Sequence, residues 1–192
     1  MAVLSPTTRR RGIRIWSVLL ALLFAGGLNL PAETSISKEY QIKAVFLFNF
    51  TQFVKWPPAA FINADEPFCI GILGDDPFDG FLDETVRGEK VDGHPLVVQR
   101  YHSVKDIKDC QLLFISGSEN KRLEQIFAGL NGKNILTVGD MDGFAKNGGV
   151  IRFVTEQNKV HFKISREAAK NANLTISSKM LRLAEIVEPG KD

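Results

Sequence analysis

Two pairs of aspartates stand where an apolar run gives way to a turn. Asp75 and Asp76 follow residues 68–74, and Asp140 and Asp142 follow residues 135–139. Carboxylates grouped this way can hold a divalent cation or share acid–base work. Plainer duties suit them as well, since Asp before Pro-Phe caps a helix and Asp-Gly makes a turn. His94, His102 and His161 are scattered, and no CxxC or HxH spacing offers a compact zinc site. A GxSxG elbow, a Walker loop and a GxGxxG turn are all missing from the chain. The expectation is a binding protein, with no catalytic residue, no metal and no cofactor.

The elements that must carry these residues follow from the hydropathy pattern. Short continuous apolar runs at 68–74, 96–98, 112–115 and 135–138 alternate with helical patterns through Phe81, Leu82 and Val86 and through Leu123, Ile126, Phe127 and Leu130. Such alternation indicates a parallel sheet covered on both faces. The ending differs, because 150–154 and 160–164 flank the polar Glu156-Gln157-Asn158 and form an antiparallel hairpin. Two short helices are expected to close the chain, one over Ala168, Ala169 and Ala172, the other over Met180, Leu181, Leu183 and Ile186. The expected fold is an α/β three-layer sandwich with a mostly parallel sheet of four βα-type strands and a terminal hairpin. Ligands of open α/β sheets sit beyond the carboxyl ends of the strands. Asp75, Asp76, Phe78 and Asp140 are therefore the expected ligand-binding positions.

The chain has 192 residues, 44% hydrophobic and 24% charged, with a net charge of +2. That charge is unevenly placed. Residues 1–32 hold Arg9, Arg10, Arg11 and Arg14 and no acid, leaving 20 basic against 22 acidic residues in 33–192. A net charge of −2 there removes the case for a nucleic-acid partner. The arginines followed by an apolar run over 15–24 have the order and length of a secretory signal peptide. The expected organisation is a leader over 1–32 and one domain over 33–192, exported and soluble. Export exposes Cys69 and Cys110 to an oxidising compartment, where an even count favours a disulfide. Two buried, reduced thiols are the alternative.

Ser37 is placed to cap a helix running to about Trp56, where Pro57-Pro58 stops it. Ile42, Val45, Phe46, Asn49, Phe53 and Trp56 share one face and are expected to meet the core, with Asn49 hydrogen-bonded there. Leu47 and Phe48 point elsewhere. A helix apolar on nearly all sides must be covered twice, so Leu47 and Phe48 are expected in a homodimer or client interface.

Several of these stretches, taken in order, resemble the YfiR/HmsC-like family of small periplasmic regulators. The resemblance is carried by residues 40–50, YQIKAVFLFNF, and 53–57, FVKWP. It continues through 70–78, IGILGDDPF, and 110–116, CQLLFIS, then 135–140, ILTVGD, 148–151, GGVI, and 176–184, ISSKMLRLA. It implies a periplasmic inhibitor that binds the sensor region of an inner-membrane diguanylate cyclase, lowers cyclic di-GMP and restrains biofilm formation. It also implies dimerisation, and sequestration by an outer-membrane lipoprotein. Cys69 and Cys110 fall where the family can carry a cysteine pair. A second pair present in some relatives has no counterpart here. The rival expectation is a periplasmic small-molecule sensor or carrier using the crevice near Asp75, Phe78 and Asp140.

Overall fold

A computed structural model describes residues 37–63 and 65–187. The leader expected over 1–32 lies outside them. The chain begins with helix α1, Lys38–Phe53, capped by Ser37, whose side chain accepts from the Glu39 amide at 3.2 Å. The helix ends three residues short of the expected Trp56. Val54 and Lys55 turn extended and form β1, which pairs antiparallel with β9, Thr175–Ile176.

The main sheet holds β2 (Phe68–Leu73), β3 (Lys90–Val91), β4 (His94–Tyr101), β5 (Leu112–Ile115), β6 (Leu136–Gly139), β7 (Ile151–Glu156), β8 (Lys159–Ser165) and β10 (Glu185–Val187). Its order is β10-β8-β7-β6-β5-β2-β4-β3. Neighbours run parallel except β7 with β8 and β3 with β4. The four expected parallel strands and the terminal hairpin are therefore present in one α/β sheet. Alternation of side chains separates the layers. Phe68, Ile70, Ile72, Leu112 and Phe114 join a large core with α1 and α2 (Phe81–Val86). Cys69, Leu73, Leu113 and Ile115 face the other way, toward α3 (Leu123–Leu130).

Two endings depart from the sequence pattern. The last helix, α5 (Ser178–Leu183), follows α4 (Arg166–Asn171) and stops before Ile186. Residues Glu185–Val187 instead extend the sheet as a parallel edge strand beside β8, with Ile186 opposite Ile164. A strand edge left open by the hairpin satisfies three residues' backbone groups better than another half-turn of helix. The β6–β7 connection crosses with no helix at all. It packs through Phe144, whose ring lies so close to Gly139 and Gly149 that a Cβ at either would overlap it.

Candidate functional site

The crevice beyond the strand ends is closed from inside. Chain order reverses around β2, which has β4 on one side and β5 on the other, so the loops after β2 and β5 should flank a ligand. Instead Ser118, after β5, accepts a hydrogen bond from the Asp75 amide at 3.0 Å. Gly74, at φ +91°, lies so tightly against Ser118 and Glu119 that no side chain would fit.

The four expected ligand-binding residues do not converge on a pocket. Asp76 caps the turn, accepting from the Phe78 amide at 2.7 Å, and with Asp83 holds Arg100. The Arg100 guanidinium keeps the Asp83 carboxyl below its ordinary range. Asp75 is exposed. Phe78, fully buried, is a core residue wedged edge-on between Tyr40 and Phe114. This corrects its assignment to a ligand site, because a ring with no exposed surface meets no ligand. Asp140 is claimed by the amino end of α1. It accepts from the Tyr40 hydroxyl at 2.9 Å and from Lys43 Nζ at 2.6 Å. Tyr40 and Lys43 both donate to the same Asp140 oxygen, Oδ2.

Lys43 is the residue that sequence reasoning missed. Its side chain is 3% exposed and bridges Glu39, four residues back, to Asp140 at 2.6 Å each. Thr155 of β7 adds a hydrogen bond to Glu39. The pattern Glu39-x-x-x-Lys43 was a visible signal of the helical pair, but nothing local announces Asp140, 97 residues away. Proximity to Asp140 and burial both push the Tyr40 hydroxyl up from its ordinary value, burial being the larger cause, so it remains a donor. A groove of about 410 Å³ adjoins this cluster, lined also by Asp142 and Arg152, which are paired with each other. Among the described residues no group of acids, histidines and cysteines could hold a metal ion.

On the opposite face Cys69 and Cys110 are buried free thiols, not the expected disulfide. Cys69 enters β2 and Cys110 precedes β5. Buried Gln111 fixes the geometry, accepting from the Cys69 amide and donating to Ala60, while its own carbonyl accepts from Trp56. A hydrogen bond from Cys110 lowers the Cys69 pKa, and burial raises that of Cys110. The Tyr101 hydroxyl lies 3.6 Å from the Cys69 sulfur.

Helix α1 turns the other way round from the sequence expectation. Its buried residues are Lys43, Ala44, Leu47, Phe50 and Thr51. Leu47 has no exposed surface and Phe48 is half-buried against the core, so Leu47 cannot belong to an interface. Of the face expected in the core, Phe46 and Trp56 do pack against it, but the rest does not. Ile42, Val45 and Phe53 are 37%, 45% and 38% exposed, and Asn49 is half-buried, its side chain making no hydrogen bond to another described residue. No helix of the described residues is long and apolar enough to cross a membrane.

A model of the YfiR/HmsC-like family (DUF4154) matches residues 40–185. No curated protein matches the chain. Among solved structures, an ABC domain from Streptococcus pneumonia in complex with L-Trp is 11% identical, with a TM-score of 0.51, over 77% of this chain and 60% of that one. A conserved-domain protein from Vibrio cholerae O1 biovar El Tor is 12% identical, with a TM-score of 0.48, over 62% of this chain and 54% of that one. The chain thus spans little more than half the length of these structures, and the likeness concerns the fold alone.

Proposed function

The chain belongs to the YfiR/HmsC-like family, and from that premise we propose that it is a periplasmic regulator that acts by binding. Its client on this reading is an inner-membrane diguanylate cyclase, held inactive through the periplasmic sensor region. Cyclic di-GMP falls and biofilm formation is restrained. An outer-membrane lipoprotein that captures the regulator would relieve the inhibition.

The observation that carries this proposal is a contrast between two surfaces. The crevice where an α/β domain ordinarily takes a ligand is plugged by Tyr40 and Lys43, while α1 turns Ile42, Val45 and Phe53 to solvent. Contiguous apolar surface that folding leaves uncovered usually marks a protein partner. The carrier reading, by contrast, is left with the groove of about 410 Å³ beside Lys43 and Asp140.

Co-expression with a candidate client tests the proposal. The chain should lower cellular cyclic di-GMP only when a cyclase with a periplasmic region is present, and the cyclase should co-purify. An unchanged cyclic di-GMP level beside every co-encoded cyclase would sink it. Stabilisation of the purified protein by a small metabolite, with no effect on any cyclase, would revive the carrier.

A further inference from the structure

We propose that a hollow at the amino ends of β6 and β7 binds a neutral saccharide. This goes beyond the regulatory reading above and stands or falls without it. The hollow measures about 450 Å³, within the range of small-molecule sites. Ile135 and Val150, which lead into β6 and β7, line it together with Thr137 of β6 and Ser165 of β8. It therefore lies at the other end of these strands from Asp140 and from the groove beside Lys43.

Two features of the chain keep this space from filling. The β6–β7 connection has no helix to lay across it. The walls that α3, this connection and α4 supply are small, being Ala128, Gly132, Ala145, Gly148, Ala168 and Ala172. What turns the hollow into a site is its polar floor. Thr137 is 5% exposed and its Oγ1 accepts from the Val150 amide at 3.0 Å. Ser165 is 8% exposed and its Oγ accepts from the Ala168 amide at 3.2 Å. Each hydroxyl has used an acceptor site and still holds a hydrogen to donate, and neither donates to another described residue. A buried donor left unmade is costly, and a ligand oxygen in the hollow recovers that cost.

Charge selects a neutral ligand. Of the described lining residues only Lys133, Lys146 and Glu167 carry a formal charge. Lys133 gives its ammonium to the Ile107 carbonyl at 2.8 Å, and Lys146 and Glu167 oppose each other in sign. The remaining polar groups select hydroxyls. Asn131, Asn147 and Asn171 bring three carboxamides to the rim. Asn147 donates to the Gly143 carbonyl at 2.8 Å, while the Asn131 and Asn171 side chains bond to no other described residue. A carboxamide offers donors and an acceptor side by side, and neighbouring hydroxyls on a sugar ring match both roles at once. Phe127, half-buried and edge-on to Phe144 at 5.4 Å, adds an apolar wall for the C–H face of such a ring. The rim asparagines are exposed and must be ordered on binding, so the affinity belongs in the millimolar range.

The test titrates the full chain, expressed for export, with maltose, cellobiose and diacetylchitobiose, and with citrate and putrescine as charged comparisons. Saturation-transfer NMR should show at least one sugar binding with a dissociation constant of about 1 mM. Ala128→Trp, at an exposed position on the wall, should fill the hollow. It should cut that affinity at least about tenfold with an unchanged circular dichroism spectrum. Gln125→Trp, exposed on the same helix but outside the hollow, should bind as the native chain does. Should Ala128→Trp fail to fold, amide shifts of the native chain decide instead, and with sugar bound they should move at Thr137, Asn147 and Asn171. Shifts centred elsewhere overturn the proposal. So do the absence of binding by all three sugars, equal binding by a folded Ala128→Trp protein, and tighter binding of citrate or putrescine than of any sugar.

Discussion

Lys43 shows how a single side chain can decide what a surface is for. Buried at 3% exposure, it needs Glu39 and Asp140 together. Removing one partner of a buried ion pair typically costs about 3–5 kcal/mol, since the other charge is stranded. Lys43→Met keeps the apolar stem and should lose roughly 3 kcal/mol in urea unfolding; a loss near zero would show that Asp140 finds a substitute cation. The same cluster has an acid signature. The hydrogen bond from Lys43 holds the Glu39 carboxyl below its ordinary value of 4.5. A carboxylate depressed in the folded state stabilises the fold above its unfolded pKa, and that contribution disappears as pH falls through the folded value. The native chain should therefore lose more stability than Glu39→Gln on acidification from about pH 6 to about pH 3, as read by thermal melts. Equal losses would mean that Glu39 titrates alike in both states. At the other pole, Cys69 and Cys110 are neighbouring thiols with their pKa values driven apart. As free thiols they should leave the melting temperature unchanged when dithiothreitol is added; a lower melting temperature under reduction would show that the pair is bonded.

Among the elements, α1 is where the sequence misled and where the reason is physical. Both sides of the helix are apolar, so periodicity alone offered two core faces. The one with more bulky residues lost, because the inner face includes Lys43 and Thr51, which resemble a solvent strip. Each is satisfied inside, Lys43 by remote carboxylates and Thr51 by the Phe48 carbonyl at 2.7 Å. A paired mutation measures which face is which. Phe50, 2% exposed and stacked on Phe153, should cost about 3–5 kcal/mol as Phe50→Ala. Phe53→Ala should cost less than about 1 kcal/mol. The reverse order in urea unfolding would restore the sequence-based orientation. The strands fared better. Residues 112–115 were legible to the residue because a short apolar run buried on both sides has few alternatives. The three-residue β10 was not, since nothing in Glu185-Ile186-Val187 distinguishes an edge strand from the end of a helix until β8 supplies the partner.

For the molecule as a whole, the fold was largely readable and the candidate site was not. A sheet announces itself through local runs, whereas Asp140 acquires its role from a helix nearly a hundred residues earlier. Amide exchange should reflect the same architecture. Protection should peak in β2, β5 and β6, buried throughout, and should be least in the edge strands β3 and β10. Uniform protection across the sheet would contradict it. The plugged crevice, finally, makes the domain a ready receptor scaffold. Trimming Tyr40 to Ala would leave a phenol-shaped vacancy, with Phe78 along one wall and Asp140 as a waiting acceptor. Vacancies of this kind take up small aromatic guests. Phenol added to Tyr40→Ala should recover part of the lost melting temperature while leaving the native protein untouched, turning an internal stopper into an exchangeable one.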